Sequence, residues 1–191
     1  LHLFYSLRPA SGEADGIEYM RLDPQGWSTP IDIVLATSTL SGRTLRAVVD
    51  SQQNLHLLWV DGQQVYHASV PAEQAGSAPA WSPPHFVVGS LSADLIVGEQ
   101  DELLLAYTDT TKGTVLLTRS GDGGESWSPD QIVAICPPDV LPSYPRIARD
   151  GAGRLHVVWT EGQRPMWEPL TGVYYTRSLD DGHTWELPRT V

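Results

Sequence analysis

The sequence predicts an all-β protein: a partial β-propeller with about four blades of four antiparallel strands. Three observations lead there. A strand-like phrase recurs four times, as Leu1-His-Leu-Phe-Tyr-Ser6, Leu55-His-Leu-Leu-Trp-Val60, Leu103-Leu-Leu-Ala-Tyr-Thr108 and Leu155-His-Val-Val-Trp-Thr160. A Trp-led segment follows each one in step, at Trp27-Ser-Thr-Pro30, Trp81-Ser-Pro-Pro84, Trp127-Ser-Pro-Asp130 and Trp185-Glu-Leu-Pro188. Gly, Pro and Asp punctuate the segments between them, and no stretch carries a convincing helical period. Short β-rich strands recurring every ~50 residues are the pattern of propeller blades. A β-sandwich would share the strand content, but the period favours the propeller.

Lettering the strands of one unit A to D, the Leu-led phrases are B and the Trp-led segments open D. Strand C falls at 17–22, 65–70, 115–119 and 173–177. Strand A falls at 46–50, 93–97 and 145–149, and the first unit lacks it. The blades therefore run approximately 1–35, 44–88, 93–135 and 145–191. Four blades is the lower limit for a closed ring. The chain is thus expected to be part of a larger ring, or to associate with another copy through its end blades.

Two of the C–D turns are near copies, Ser120-Gly-Asp-Gly-Gly-Glu-Ser-Trp127 and Ser178-Leu-Asp-Asp-Gly-His-Thr-Trp185. Both fit Ser-x-Asp-x-Gly-x-Ser/Thr-Trp. The carboxylates of Asp122 and Asp180 are placed to accept backbone N–H bonds, and Gly124 and Gly182 to take a positive φ. Ser120, Ser126, Ser178 and Thr184 tie the turn, and Trp127 and Trp185 are expected to pack between sheets, with Trp27 and Trp81 in equivalent places. The turn at Asp23-Pro-Gln-Gly-Trp27 is a degenerate version, and the second unit (71–80) has lost the motif. This pattern resembles the Asp-box, or bacterial neuraminidase repeat, of sialidases and related propellers. The motif staples a turn and speaks to fold more than to activity.

Composition narrows the partners. The formal charge is −11 and the pI near 4.8, and no basic stripe is interleaved with aromatics, which argues against nucleic acid. No apolar run approaches the ~20 residues of a membrane span. Cys136, the only cysteine, rules out an internal disulfide and a thiolate metal cluster; it reads as a small buried hydrophobe. His2, His56 and His156 repeat at one place in strand B, which implies packing rather than a zinc site. No metal and no cofactor is expected, and the resemblance implies a secreted or periplasmic protein.

Antiparallel order puts the A–B and C–D turns at one end of each blade and the B–C and D–A loops at the other. A ligand site belongs at the second end, where loops are free to vary. The B–C loops are 7–16, 61–64, 109–113 and 161–172; the D–A loops are 36–44, 89–92 and 136–144. The loop 161–172 carries Arg164, Met166, Trp167 and Glu168, a flat apolar face with polar groups at its edge. Arg146 enters an inner strand in Ser143-Tyr-Pro-Arg-Ile147, with Tyr144 beside it. Asp61, Asp109 and Glu161 end the B strands, where repetition suggests a shared turn role.

The candidate ligand-binding set is thus Arg146, Tyr144, Arg164, Trp167, Glu168, Glu161 and Asp109. Sialidase-like catalysis implies three arginines on a carboxylate, a Tyr nucleophile backed by a Glu, and an Asp acid/base. That set is not visible here: Tyr5-Ser-Leu-Arg-Pro9 departs from the family pattern, with Arg8 directly before Pro9, and Arg119 and Arg177 lie at the wrong end. Two functions follow. One is glycan processing or binding at the loop face opposite the Asp-boxes, as a glycoside hydrolase of exo-sialidase type if it is an enzyme. The other is a non-catalytic propeller that serves as a protein-binding or assembly platform.

Overall fold

The computed structural model describes residues 1–7, 16–35, 40–163 and 170–191. It contains four four-stranded antiparallel sheets in sequence order, the blades of a β-propeller fold. They divide into two compact units, 1–88 and 89–191.

In the first unit, the opening sheet holds β1 (His2–Leu7), β2 (Gly16–Asp23), the two-residue β3 (Gly26–Trp27) and β4 (Ile31–Leu35), with β2 pairing all three others. The second sheet runs β5 (Leu40–Val49), β6 (Asn54–Asp61), β7 (Gln64–Pro71) and β8 (His85–Gly89). The apolar cluster of this unit joins Ile17 and Tyr19 to Leu55, Leu57, Trp59, Ala68, Val70, Ala75 and Trp81.

The second unit holds β9 (Ala93–Val97), β10 (Leu103–Asp109), β11 (Thr114–Ser120) and β12 (Gln131–Ile135), then β13 (Val140–Arg149), β14 (Leu155–Gln163), β15 (Leu170–Ser178) and β16 (Arg189–Thr190), each set forming one sheet in chain order. Its cluster gathers Leu104, Ala106, Val115, Leu117, Ile147, Leu155, Val157 and Trp159. Strands β6 and β10 are buried on both faces almost throughout. This is why the Leu-led phrases read as continuous apolar runs rather than alternating ones.

The outer strands depart from the sequence reading. D does not begin at the Trp: β4, β8, β12 and β16 start at Ile31, His85, Gln131 and Arg189, after the prolines at 30, 83–84, 129 and 188. Proline has no N–H for the ladder, so pairing resumes only beyond it. The Trp-led dipeptide is instead a bracket on strand C. The N–H of the residue after Trp donates to a C-strand carbonyl in every sheet: Ser28 to Arg21, Ser82 to Ser69, Ser128 to Arg119 and Glu186 to Arg177, at 2.8–2.9 Å. In three sheets the same serine's Oγ accepts the N–H of that C-strand residue, at 3.0, 2.9 and 3.1 Å. Glu186 replaces the hydroxyl with an ion pair to Arg177.

The four Trp side chains are not equivalent. Trp81 is 9% exposed and Trp127 and Trp185 are half-buried, whereas Trp27 is 46% exposed. The tight hairpin Asp23–Gly26 holds Trp27 opposite Leu22 in a two-residue ladder, outside the apolar cluster of its unit. Strand A is also longer than expected. β5 and β13 extend back to Leu40 and Val140 through bulges, so Tyr144 lies in a strand rather than in a D–A loop.

Candidate functional site

At the C–D end, the two repeated octapeptides fold identically. Asp122 Oδ1 accepts the N–H of Ser126 and its Oδ2 the Ser126 hydroxyl; Asp180 treats Thr184 the same way, at 2.9 and 2.6 Å. The buried hydroxyls of Ser120 and Ser178 donate to those carboxylates and accept the N–H of Gly124 and Gly182 at 2.8 and 2.7 Å. Both glycines have positive φ, +96° and +85°. Hydrogen bonds from Ser126, and likewise from Thr184 and Ser178, hold the two carboxyls far below the usual carboxylate range. A carboxylate committed in this way has little left for a ligand.

The recurring histidines sit at this same end. His56 and His156 each reach back through Nε2 to the aspartate of the A–B turn, Asp50 at 3.4 Å and Asp150 at 3.1 Å. Their Nδ1 atoms meet strand C at His67 Nε2 (3.2 Å) and Tyr175 Oη (2.8 Å), and His2 Nδ1 meets Tyr19 Oη at 2.8 Å. The rings stack, with centroids 5.3–5.9 Å apart.

At the opposite end of the second unit, the inner strands β9 and β13 lie side by side. Ser92 Oγ accepts the Tyr144 N–H at 3.2 Å, and Asp94 Oδ2 accepts the Ile147 N–H at 3.0 Å. Ser90, Ser92 and Thr108 form a buried hydroxyl network beneath them: Ser90 Oγ donates to the Thr108 carbonyl at 2.8 Å, and Ser92 Oγ lies 3.2 Å from Thr108 Oγ1. Tyr144 has φ +52° at the β13 bulge, just before Pro145. A bulky residue adopts that conformation only where its surroundings hold it. The half-buried Arg146 follows, with one guanidinium nitrogen donating to the Pro145 carbonyl at 2.7 Å. The structure therefore brings Tyr144, Arg146, Ser92 and Asp94 into one inner-strand cluster.

Glu161 lies near the end of strand β14, opposite Pro142 of β13. It is 4% exposed, accepts the Trp159 indole N–H at 3.0 Å, and abuts the Cys136 thiol. Burial, reinforced by the Glu161 charge, pushes that thiol up to about 12, so Cys136 stays protonated and unreactive at neutral pH. Asp109 closes the β10–β11 turn, accepting the N–H groups of Thr111 and Lys112 and pairing with the Lys112 ammonium at 3.1 Å. Burial raises its pKa, but these bonds together outweigh burial and leave it lowered. Arg164, Met166, Trp167 and Glu168, and Arg8 with Pro9, lie outside the described residues. Among the described residues, no group of three His, Cys, Asp or Glu side chains is arranged to hold a metal.

The sequence reading missed Ser92, Asp94 and Arg46. Arg46 and Arg146 each stand four residues before the A–B turn aspartate and each donates to the preceding residue's carbonyl. The register pairs Arg46, Asp94 and Arg146 with Leu58, Ala106 and Val158, the fourth residue of each Leu-led phrase. Counting back from those phrases would have found Arg46 and Asp94.

No protein-family model matches the sequence, and no curated protein matches it. Solved structures do match. An α-L-arabinanase from Penicillium chrysogenum, complexed with arabinobiose, superposes over all of this chain and 63% of its own, with a TM-score of 0.61 and 14% identity. An ulvan lyase, a polysaccharide lyase bound to -[GlcA(1-4)Rha3S]-, matches over 97% of this chain and 50% of its own, with a TM-score of 0.67 and 11% identity. The intramolecular trans-sialidase from Ruminococcus gnavus, in complex with oseltamivir carboxylate, matches over 96% and 42%, with a TM-score of 0.64 and 14% identity. The chain spans about two thirds or less of each of these proteins, and the likeness is one of fold.

Proposed function

We propose that the chain belongs to a sialidase-like propeller of the Asp-box type, which binds or processes glycans at the loop end opposite the two Ser-x-Asp turns. The inner-strand cluster carries this reading. Arg146 offers a planar guanidinium suited to a sugar carboxylate, Tyr144 is held in a strained conformation beside it, and Ser92 and Asp94 anchor the strand beneath. The net charge of −11 disfavours anionic ligands at long range, so capture of an acidic sugar depends on this local arginine. Structures of glycan-acting proteins with the same fold support the substrate class, and such a role suits a secreted or periplasmic protein.

The test is a glycan array that includes sialylated and uronate-bearing oligosaccharides. Arg146→Ala should abolish binding, and Arg177→Ala, at the other end of the blade, should leave it intact. Binding indifferent to Arg146→Ala would overturn the proposal. A second reading, a protein-binding platform, draws on Ile132 and Ile135, which are 57% and 69% exposed on the outer strand β12. An array without any signal would favour it.

A further inference from the structure

The first unit contains a cavity of about 300 Å³ lined by Tyr19, Arg21, Ser28, Glu73, Gln74, Gly76 and Ser77. It lies at the C–D end, where β2 of the first sheet meets the 71–80 turn of the second. That turn is the one that lost the repeated motif, and it folds as two short 3₁₀ turns, Ala72–Gln74 and Ala78–Ala80.

The repeat shows what normally fills this crevice. Arg21 and Arg119 are equivalent, because each exchanges the same pair of bonds with the serine after the Trp. In the second unit the crevice is plugged. The Arg119 guanidinium, 13% exposed, binds Glu102 at 2.7 Å and Asp181 Oδ2 at 3.2 Å, and also donates to the Asp181 carbonyl in the next sheet's turn. In the first unit the next sheet's turn lines the crevice without filling it. Arg21 is 48% exposed and only 4.0 Å from Asp23, and the side chains of Glu73, Gln74 and Ser77 make no hydrogen bond among the described residues.

The wall of the crevice is nevertheless tied into the apolar cluster through Ala75 and Trp81. Trp81 donates to the Ala75 carbonyl at 3.2 Å and meets Phe4 edge-on, 5.8 Å between centroids, while Phe4 packs on Tyr19 at the floor.

We propose that this crevice is a binding site for one or two units of an uncharged saccharide, separate from the Arg146 cluster. A guanidinium, a carboxylate and a carboxamide offer planar pairs of donors and acceptors that match vicinal hydroxyls. The nearby charges of Arg21, Asp23 and Glu73 leave no excess of positive charge for an anion. The volume lies at the small end of ligand pockets. Gly76 provides the means of closing it: its φ is not in the positive region, and a Cβ there would meet nothing within 4 Å. A large side chain can therefore be placed at this lining residue without straining the turn.

The experiment is a titration of the isotope-labelled chain with arabinobiose, cellobiose and lactose, read by amide chemical shifts. Saturable shifts at Arg21, Ser28, Gly76 and Ser77 are expected with at least one of the three. Gly76→Trp should weaken that binding by at least about tenfold without lowering the melting temperature, and Arg146→Ala should leave it unchanged. No shift at these amides, shifts produced by sulfate or glycine instead of the sugars, or binding lost in Arg146→Ala but kept in Gly76→Trp, would each overturn this site. None of these results overturns the Arg146 reading, which is judged on the array.

Discussion

The 71–80 turn of the second sheet and the Ser178–Trp185 turn of the fourth occupy the same place in the repeat and have opposite consequences. In the second unit, Asp181 and Gly182 press onto Arg119, with no room to spare: a Cβ on Gly182 would come within 2.7 Å of the guanidinium. In the first unit, the turn is longer, lacks the Ser-x-Asp-x-Gly core, and leaves Arg21 facing a cavity. One sequence motif thus seals the gap beside the preceding strand, and its loss opens a pocket on the same framework. The tie from Arg149 to Glu99 adds a further link between the two sheets of the sealed unit.

The comparison can be broken most severely at Trp81. It anchors the open turn and is almost fully buried, so Trp81→Ala should cost ~3–5 kcal/mol, whereas Trp27→Ala, at a half-exposed side chain, should cost far less. Denaturant unfolding of the two variants checks this, and equal losses would mean that the 71–80 turn is not held by its indole.

The arginines provide a finer contrast. Arg119→Ala removes charged hydrogen bonds from a largely buried site and should cost roughly 2–3 kcal/mol. Arg21→Ala removes an exposed and loosely paired charge and should cost under ~1 kcal/mol. Thermal melts of both, fitted with the same heat-capacity change, distinguish them.

The comparison also extends to pH. His67 is buried beside His56, and burial, followed by the charges of His56 and His85, lowers its pKa to about 3. The unfolded chain takes up this proton near pH 6.5, before the folded chain does. Stability is therefore complete above that pH and falls as the pH drops from 6.5 towards 3, by at most ~1.4 kcal/mol per pH unit. Tyr175 holds the equivalent position in the fourth sheet, where its hydroxyl meets His156. His67→Tyr should flatten the acid limb of the stability profile, as measured by urea unfolding between pH 7 and pH 5.

The blades were legible because each core strand carries its own local signal: a Leu-led run for B and a Thr-Arg-Ser end for two of the C strands. The outer strands begin four residues beyond the Trp that the spacing marks as their start, because the residue after Trp is bonded to strand C and a proline follows before pairing resumes. Trp27 misled for a related reason: its spacing matches the others, but burial depends on what packs against it. The inner-strand cluster was only half visible. Arg146 and Tyr144 stood out as residue types, whereas Ser92 and Asp94 act by accepting N–H bonds from β13, some 50 residues away. The cavity at Arg21 could not be read at all, since it arises from what the 71–80 turn fails to fill.

The bracket between the residue after each Trp and strand C fixes where the outer strand restarts, whatever lies in between. Three residues separate strand C from Trp27, and nine separate it from Trp81, yet the bracket and the onset of strand D are the same in both sheets. The C–D segment therefore behaves as an interchangeable insert between two fixed clips. Because lengthening a closed loop adds only slowly to its entropic cost, this end of each blade can accept new loops, including grafted recognition sequences, without a shift in the register of the sheet.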